Sequence, residues 1–216
     1  MGGWIRIAAA AVCAIALSGC ATVRESVPAR LDLSQATCAS DVSLAGAAVL
    51  VSEKQGAKDA PLKATARIGD TAPCIDQAGQ RSTYQVFSLP GGEGLMITVV
   101  SVPLGGTLFS PRLQLRDEAG AIAREVGRDM FLFGAGNTLQ LQLRLRAGER
   151  YAVVLSDPKT VGTSVTNIAT GTSMTGVPVG TAFVPIYTGH ENSAKLTFAH
   201  NGEIVVIVGA VPAAEK

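Results

Sequence analysis

The chain has 216 residues, 18 Lys+Arg against 17 Asp+Glu, a net charge of +1 and a charged fraction of only 16%. The length suits one sizeable core, and near-neutral charge with a pI near 7.7 excludes the basic surface of a nucleic-acid binder. A 47% hydrophobic content excludes disorder, while 24 Gly and 10 Pro in a Thr/Val-rich text argue against a helical bundle.

Met1 to Arg6 carries one positive charge, and Ile7 to Leu17 is an uninterrupted apolar run. Eleven helical residues reach about 16 Å, too short for a hydrocarbon core of about 30 Å, so the run reads as the apolar region of a secretory signal. Leu17-Ser18-Gly19-Cys20 then resembles the lipobox of bacterial lipoproteins. That resemblance implies cleavage before Cys20, a diacylglyceryl thioether on its sulfur and acylation of its new amino group. Ala21, where an Asp would retain the protein at the inner membrane, implies the outer membrane. Residues 1–19 are therefore the expected signal peptide, 20–30 a lipidated tether and 31–216 the folded domain. Several acyl chains anchor stably where one does not.

Cys13 leaves with the signal and Cys20 takes lipid, so Cys38 and Cys74 remain. Two leftover cysteines in an exported chain are expected to pair, as a structural bridge. A metal role has little support, because there is no CxxC and neither His190 nor His200 has a partner at ligand spacing. No cofactor is expected.

Leu31 to Val51 is ambiguous: Asp32 and Ser34 are able to cap a short helix, but Ala47 to Val51 reads equally as a strand. Lys54 to Pro61 reads as a polar loop. From Leu62 the period shortens to two. Tyr84 to Leu89 is strand-like, Leu95 to Val102 is an apolar strand, and Leu113 to Arg116 and Ala121 to Val126 flank the turn Asp117-Glu118-Ala119-Gly120. In Leu139 to Arg146 four leucines alternate with Gln and Arg, the pattern of a sheet with one wet face. That places Leu141 and Leu143 inward, Gln142 and Arg144 outward. Tyr151 to Leu155 follows a turn. The last pair is Lys195 to Ala199 and Glu203 to Val208, with Asn201-Gly202 between them as a hairpin turn and His200 exposed.

Ser156 to Ser193 breaks this rhythm. Asp157-Pro158 is able to open a short helix, but Thr160 to Gly180 is rich in Gly, Thr and Ser. A long loop of this kind is often functional, and it serves equally as a cover for one end of the fold. It closes with Phe183, Pro185, Ile186, Tyr187 and His190. Tyr187 and His190 are the candidate binding residues, an amphipathic ring beside an imidazole; Phe183 and Ile186 as one more strand is the competing reading. Strands recurring every ten or so residues describe an all-β chain, a single β-sandwich.

The run Gly79-x4-Tyr84-x2-Phe87-x-Leu89-Pro90, then Phe109-x-Pro111 into Leu113-Gln114-Leu115-Arg116-Asp117, then Arg150 to Leu155, resembles the maltose-operon periplasmic protein family. Tyr187-Thr188-Gly189-His190 before the last strands fits it too. The same pattern is similar to pre-peptidase C-terminal type β-sandwich modules. Both resemblances imply a jelly-roll-like fold without a catalytic centre, and the first implies an accessory role in maltodextrin uptake. The lipobox and the Cys38/Cys74 pair depart from the family pattern.

No motif supports an enzyme. Gly171 to Gly176 lacks the spacing of a nucleophile elbow, and Gly134-Ala135-Gly136 lacks the third glycine of a dinucleotide fingerprint. Arg144 and Arg146 read as a solvated stripe or as a face for an anionic glycan or lipid. The expected function is a non-enzymatic outer-membrane lipoprotein, facing the periplasm, that binds another envelope protein or has a structural role. The alternative is an accessory protein that binds maltodextrin or a transport component. With Trp4 lost in the signal, only Tyr84, Tyr151 and Tyr187 are left as stacking platforms, and the first two lie on strands.

Overall fold

The period-two segments become strands in the computed structural model, which describes residues 30–52, 60–91, 93–179 and 182–210, with the side chains of 167–192 outside that description. Cys20 and the tether up to residue 29 also lie outside the described residues, as does most of the expected loop from Lys54. The strands are β1 (Ala48–Val49), β2 (Val51–Ser52), β3 (Leu62–Ile68), β4 (Cys74–Gln77), β5 (Gln80–Ser88), β6 (Met96–Val102), β7 (Thr107–Phe109) and β8 (Pro111–Arg116). They continue with β9 (Ile122–Val126), β10 (Leu132–Phe133), β11 (Leu139–Arg144), β12 (Tyr151–Ser156), β13 (Ser164–Val179), β14 (Ala182–Ala199) and β15 (Gly202–Gly209).

One sheet runs β1-β5-β12-β8-β9, with β4 on the side of β5; the second runs β10-β11-β6-β15-β3-β2. Phe87, Leu113, Leu115, Ala152 and Val154 of the first pack against Ile97, Val99, Leu139, Leu141, Ile204 and Val206 of the second. These side chains form one buried cluster, so the chain is an all-β, sandwich-like fold as its periodicity predicts. In β11, Leu139 and Leu141 are buried and Gln142 and Arg144 exposed. Leu143 shares the inward face but is only half-buried, while Leu145, just past the strand end, is buried again.

The first sheet is buried on both faces. Tyr84, Val86, Val153 and Leu155 alternate away from the main core and join Val42 and Ile75 in a second cluster. The segment 31–47 covers this face, which explains why Tyr151 to Leu155 is continuously apolar instead of alternating. Cys38 and Cys74 are bonded, and the neighbouring backbone is knitted by Ala39 N donating to Cys74 O at 3.0 Å and Asp76 N donating to Ala39 O at 2.8 Å. Beyond this strap, β1 pairs parallel to β5, the buried Leu50 crosses the core, and β2 joins β3 of the opposite sheet.

Of the alternatives the sequence leaves open, the strand readings hold, at Ala48–Val49 and Val51–Ser52 and through Phe183 and Ile186 in β14, and the helix and loop readings do not. Segment 31–47 contains no helix: the Asp32 carboxylate accepts the Ser34 N–H at 2.8 Å, a local turn instead of a cap. Asp157-Pro158 also opens a turn, its carbonyl taking the amides of Thr160 and Val161. Most of Ser156 to Ser193 is not loop but the antiparallel ribbon of β13 and β14, paired from Ser164↔Thr197 to Val179↔Ala182. The Thr and Val residues that crowd it favour extended backbone, while its Gly and Ser residues mimic a loop.

The last two strands are not a hairpin either. β14 pairs with β13 and β7, whereas β15 lies between β3 and β6. Asn201-Gly202 is therefore a corner between sheets. Asn201 is buried and its Oδ1 accepts the Leu31 N–H at 3.2 Å. Gly202 has φ +155°, and a Cβ there would stand 2.8 Å from Phe109 Cβ and 3.1 Å from Phe109 N.

Candidate functional site

Two adjoining clefts mark the rim where the first sheet meets the turn at Asp157. The first, of about 620 Å³, is lined by Arg112 and Gln114 of β8, Glu125 of β9, Arg128, Asp129, Asp157, Lys159 and Phe198. The second, of about 590 Å³, is lined by Arg30, Asp32, Ser34, Asp76, Arg81 and His200. Gln80 and Pro158 belong to both, so the clefts share a wall.

The first cleft balances three cations, Arg112, Arg128 and Lys159, against three carboxylates, Glu125, Asp129 and Asp157. Arg112 is aimed by Gln77 and Ser82, whose side-chain oxygens accept from its Nη2 at 3.0 and 3.3 Å. Gln114 is buried and donates to Glu125 at 2.6 Å. The Arg128 guanidinium lies 4.7 Å from the Phe198 ring centroid and donates to Phe131 O at 3.1 Å. Burial lowers the Arg128 pKa, against the pull of Asp157 and Asp129. Because the guanidinium covers Phe198, this ring offers no bare face for stacking.

In the second cleft Arg81 bonds Asp76 at 3.3 Å and donates to the carbonyls of Leu33 and Ser34. It thereby fixes the strap to the β4–β5 hairpin. His200, expected to be exposed, is half-buried. Its Nδ1 lies 2.7 Å from Ser156 Oγ. Ser156 Oγ accepts the Thr83 N–H at 3.0 Å, and the Thr83 hydroxyl donates to His200 O. The Ser156 hydroxyl has one donor and a second lone pair left for Nδ1, so the ring tautomer sets which of the two donates. Burial chiefly, and Arg30 next, lower the His200 pKa, with Asp32 opposing. A Ser–His contact invites a nucleophilic reading, but Ser156 is 0% exposed and its oxygen is occupied by Thr83. The pair ties β12 and β5 to the β14–β15 corner.

Tyr84 is core, buried in the second cluster, and its hydroxyl accepts the Ser43 N–H at 3.0 Å. Tyr187 and His190 lie on β14, opposite Met174 and Gly171 in register. Their side chains lie outside the described residues. Among the described residues no group of His, Cys, Asp and Glu is arranged to hold a metal, and no helix is long and apolar enough to cross a membrane.

Sequence reasoning missed the clefts. Arg112, Arg128, Asp157 and His200 come from four distant elements, and no spacing connects them. No family model matches the chain, and no curated protein matches it.

Proposed function

We propose that the chain is a non-enzymatic lipoprotein of the outer membrane, anchored through Cys20 and facing the periplasm, whose sandwich is a binding or structural module of the envelope. The observation that supports this reading most directly is the Cys38–Cys74 bridge. It seats the segment that follows the lipobox onto the fold, and such a bridge persists in an oxidising compartment. The experiment is metabolic labelling with radioactive palmitate, followed by membrane fractionation, on the native protein and Cys20→Ala. Label and outer-membrane association should both disappear in the variant. A Cys20→Ala protein still processed and membrane-bound removes the proposal.

A second reading, an accessory protein of maltodextrin uptake, is favoured by the first cleft. Its amide, carboxylate and guanidinium groups include donors and acceptors that suit hydroxyls. Binding there would rest on hydrogen bonds, since Phe198 is already covered by Arg128. Calorimetry with maltodextrins should give heat that Arg112→Ala abolishes; no heat with the native protein rejects this reading.

A further inference from the structure

The β13–β14 ribbon is the longest element of the fold and the least supported by it. Sixteen consecutive residues of β13 at about 3.3 Å each extend roughly 50 Å. In its sheet β13 is an edge strand, and β14 is flanked on its other side by β7 only at Thr197–Ala199. Among the described residues the ribbon therefore has two open edges, Ser164–Val179 on one side and 182–196 on the other.

Three physical facts bear on such a ribbon. A lone two-stranded hairpin is marginal in water, and a third strand is what usually makes it persist. Open edges are ordinarily protected by charge, yet between Lys159 and Glu191 the sequence contains no Asp, Glu, Lys or Arg. A lipid environment does not remove the need, because unpaired backbone groups at an open edge are still costlier there. Both environments call for another strand on these edges.

We infer that the missing strand comes from a second copy of this chain, the β13 edge of one ribbon pairing with the β14 edge of the next. The two edges are matched for it. They run in opposite directions, so copies standing side by side in one orientation meet antiparallel, as β13 and β14 already do within one chain. They have nearly the same length, and apart from Glu191 and Lys195 neither bears charge. Because the two edges differ, the contact is head-to-tail, and its repetition gives a ring if the rotation closes. The inference is independent of the lipid anchor and of the clefts.

The test is light scattering of the full chain purified in mild detergent, beside a Thr170→Lys/Thr172→Lys variant that charges the β13 edge. The native protein should run at a multiple of the single-chain mass, and the variant as a monomer with an unchanged melting temperature. Should the variant fail to fold, hydrogen exchange on the native protein decides. Ribbon amide protection should rise at least about tenfold from low to high protein concentration. A native monomer with concentration-independent exchange overturns the inference. So does an oligomer indifferent to both lysines, or a monomer whose ribbon is protected only on adding phosphatidylethanolamine/phosphatidylglycerol vesicles, which assigns the ribbon to the bilayer instead.

Discussion

Ser156 Oγ and His200 Nδ1 are 2.7 Å apart, and the serine is completely buried while the imidazole rims a cleft. The ring tautomer sets which of the two donates. Protonating His200 places a charge where burial, and next Arg30, disfavour it.

The pH dependence follows from that sign. The unfolded chain takes up the His200 proton near pH 6.5, whereas the folded protein resists until lower pH. Stability from this site is complete above about pH 6.5 and is lost as pH falls below it towards the lowered folded value. Urea midpoints should drop through that window in the native protein. His200→Asn, which keeps an acceptor but cannot titrate there, should flatten it. Asp41, whose carboxyl is held below its usual range chiefly by the Val42 amide, contributes a separate loss near pH 4.

The bridge should matter more than its exposure suggests. A loop of about 36 residues between Cys38 and Cys74 gives about 4 kcal/mol on the chain-entropy estimate. Cys38→Ser/Cys74→Ser should lose about that much in urea titration, and amides 39–47 should lose hydrogen-exchange protection before the rest.

Along β11 the cost of truncation should follow burial. Leu141→Ala should cost about 2–5 kcal/mol and Gln142→Ala within about 0.5 kcal/mol of nothing, by denaturant unfolding. Leu143→Ala should fall between them, since that side chain is half-buried.

Ala78 and Gly79 form the two-residue turn between Gln77 and Gln80, with φ of 54° and 80°. Such a turn favours Asn-Gly, and alanine is strained in the left-handed region. Ala78→Asn should raise stability by roughly 0.5–1 kcal/mol. Gly202→Ala should do the opposite, by about 1–3 kcal/mol, because Phe109 occupies the space of the new methyl. Melting temperatures of the two variants should move in opposite directions.

The sandwich was legible where one face is wet: the leucines of β11 announce their strand because Gln and Arg separate them. It was also legible in the Cys38/Cys74 pair, because two cysteines left over in a chain read as exported are expected to bond. The ribbon was not, since Thr, Gly and Ser at strand positions carry no period when neither face is consistently apolar. Asn201-Gly202 misled for a different reason. Its Asn is chosen for a buried bond to Leu31 and its Gly for the closeness of Phe109, and both needs resemble turn chemistry in sequence. The clefts are assembled by topology alone, with Arg112 and Asp157 brought to one rim by the pairing of β8 with β12.

The position of the Cys38–Cys74 bridge has a mechanical consequence. Tension applied at Arg30 peels the strap from the sheet only as far as Cys38, releasing about 28 Å of extended chain. There the load passes covalently into Cys74, at the head of β4, which is held along its length by β5. A pull along the chain thus meets a fixed stop before it reaches Val42 or the β1–β5 pairing, and the sandwich feels the force through a covalent bond instead of through its first, weakest contacts.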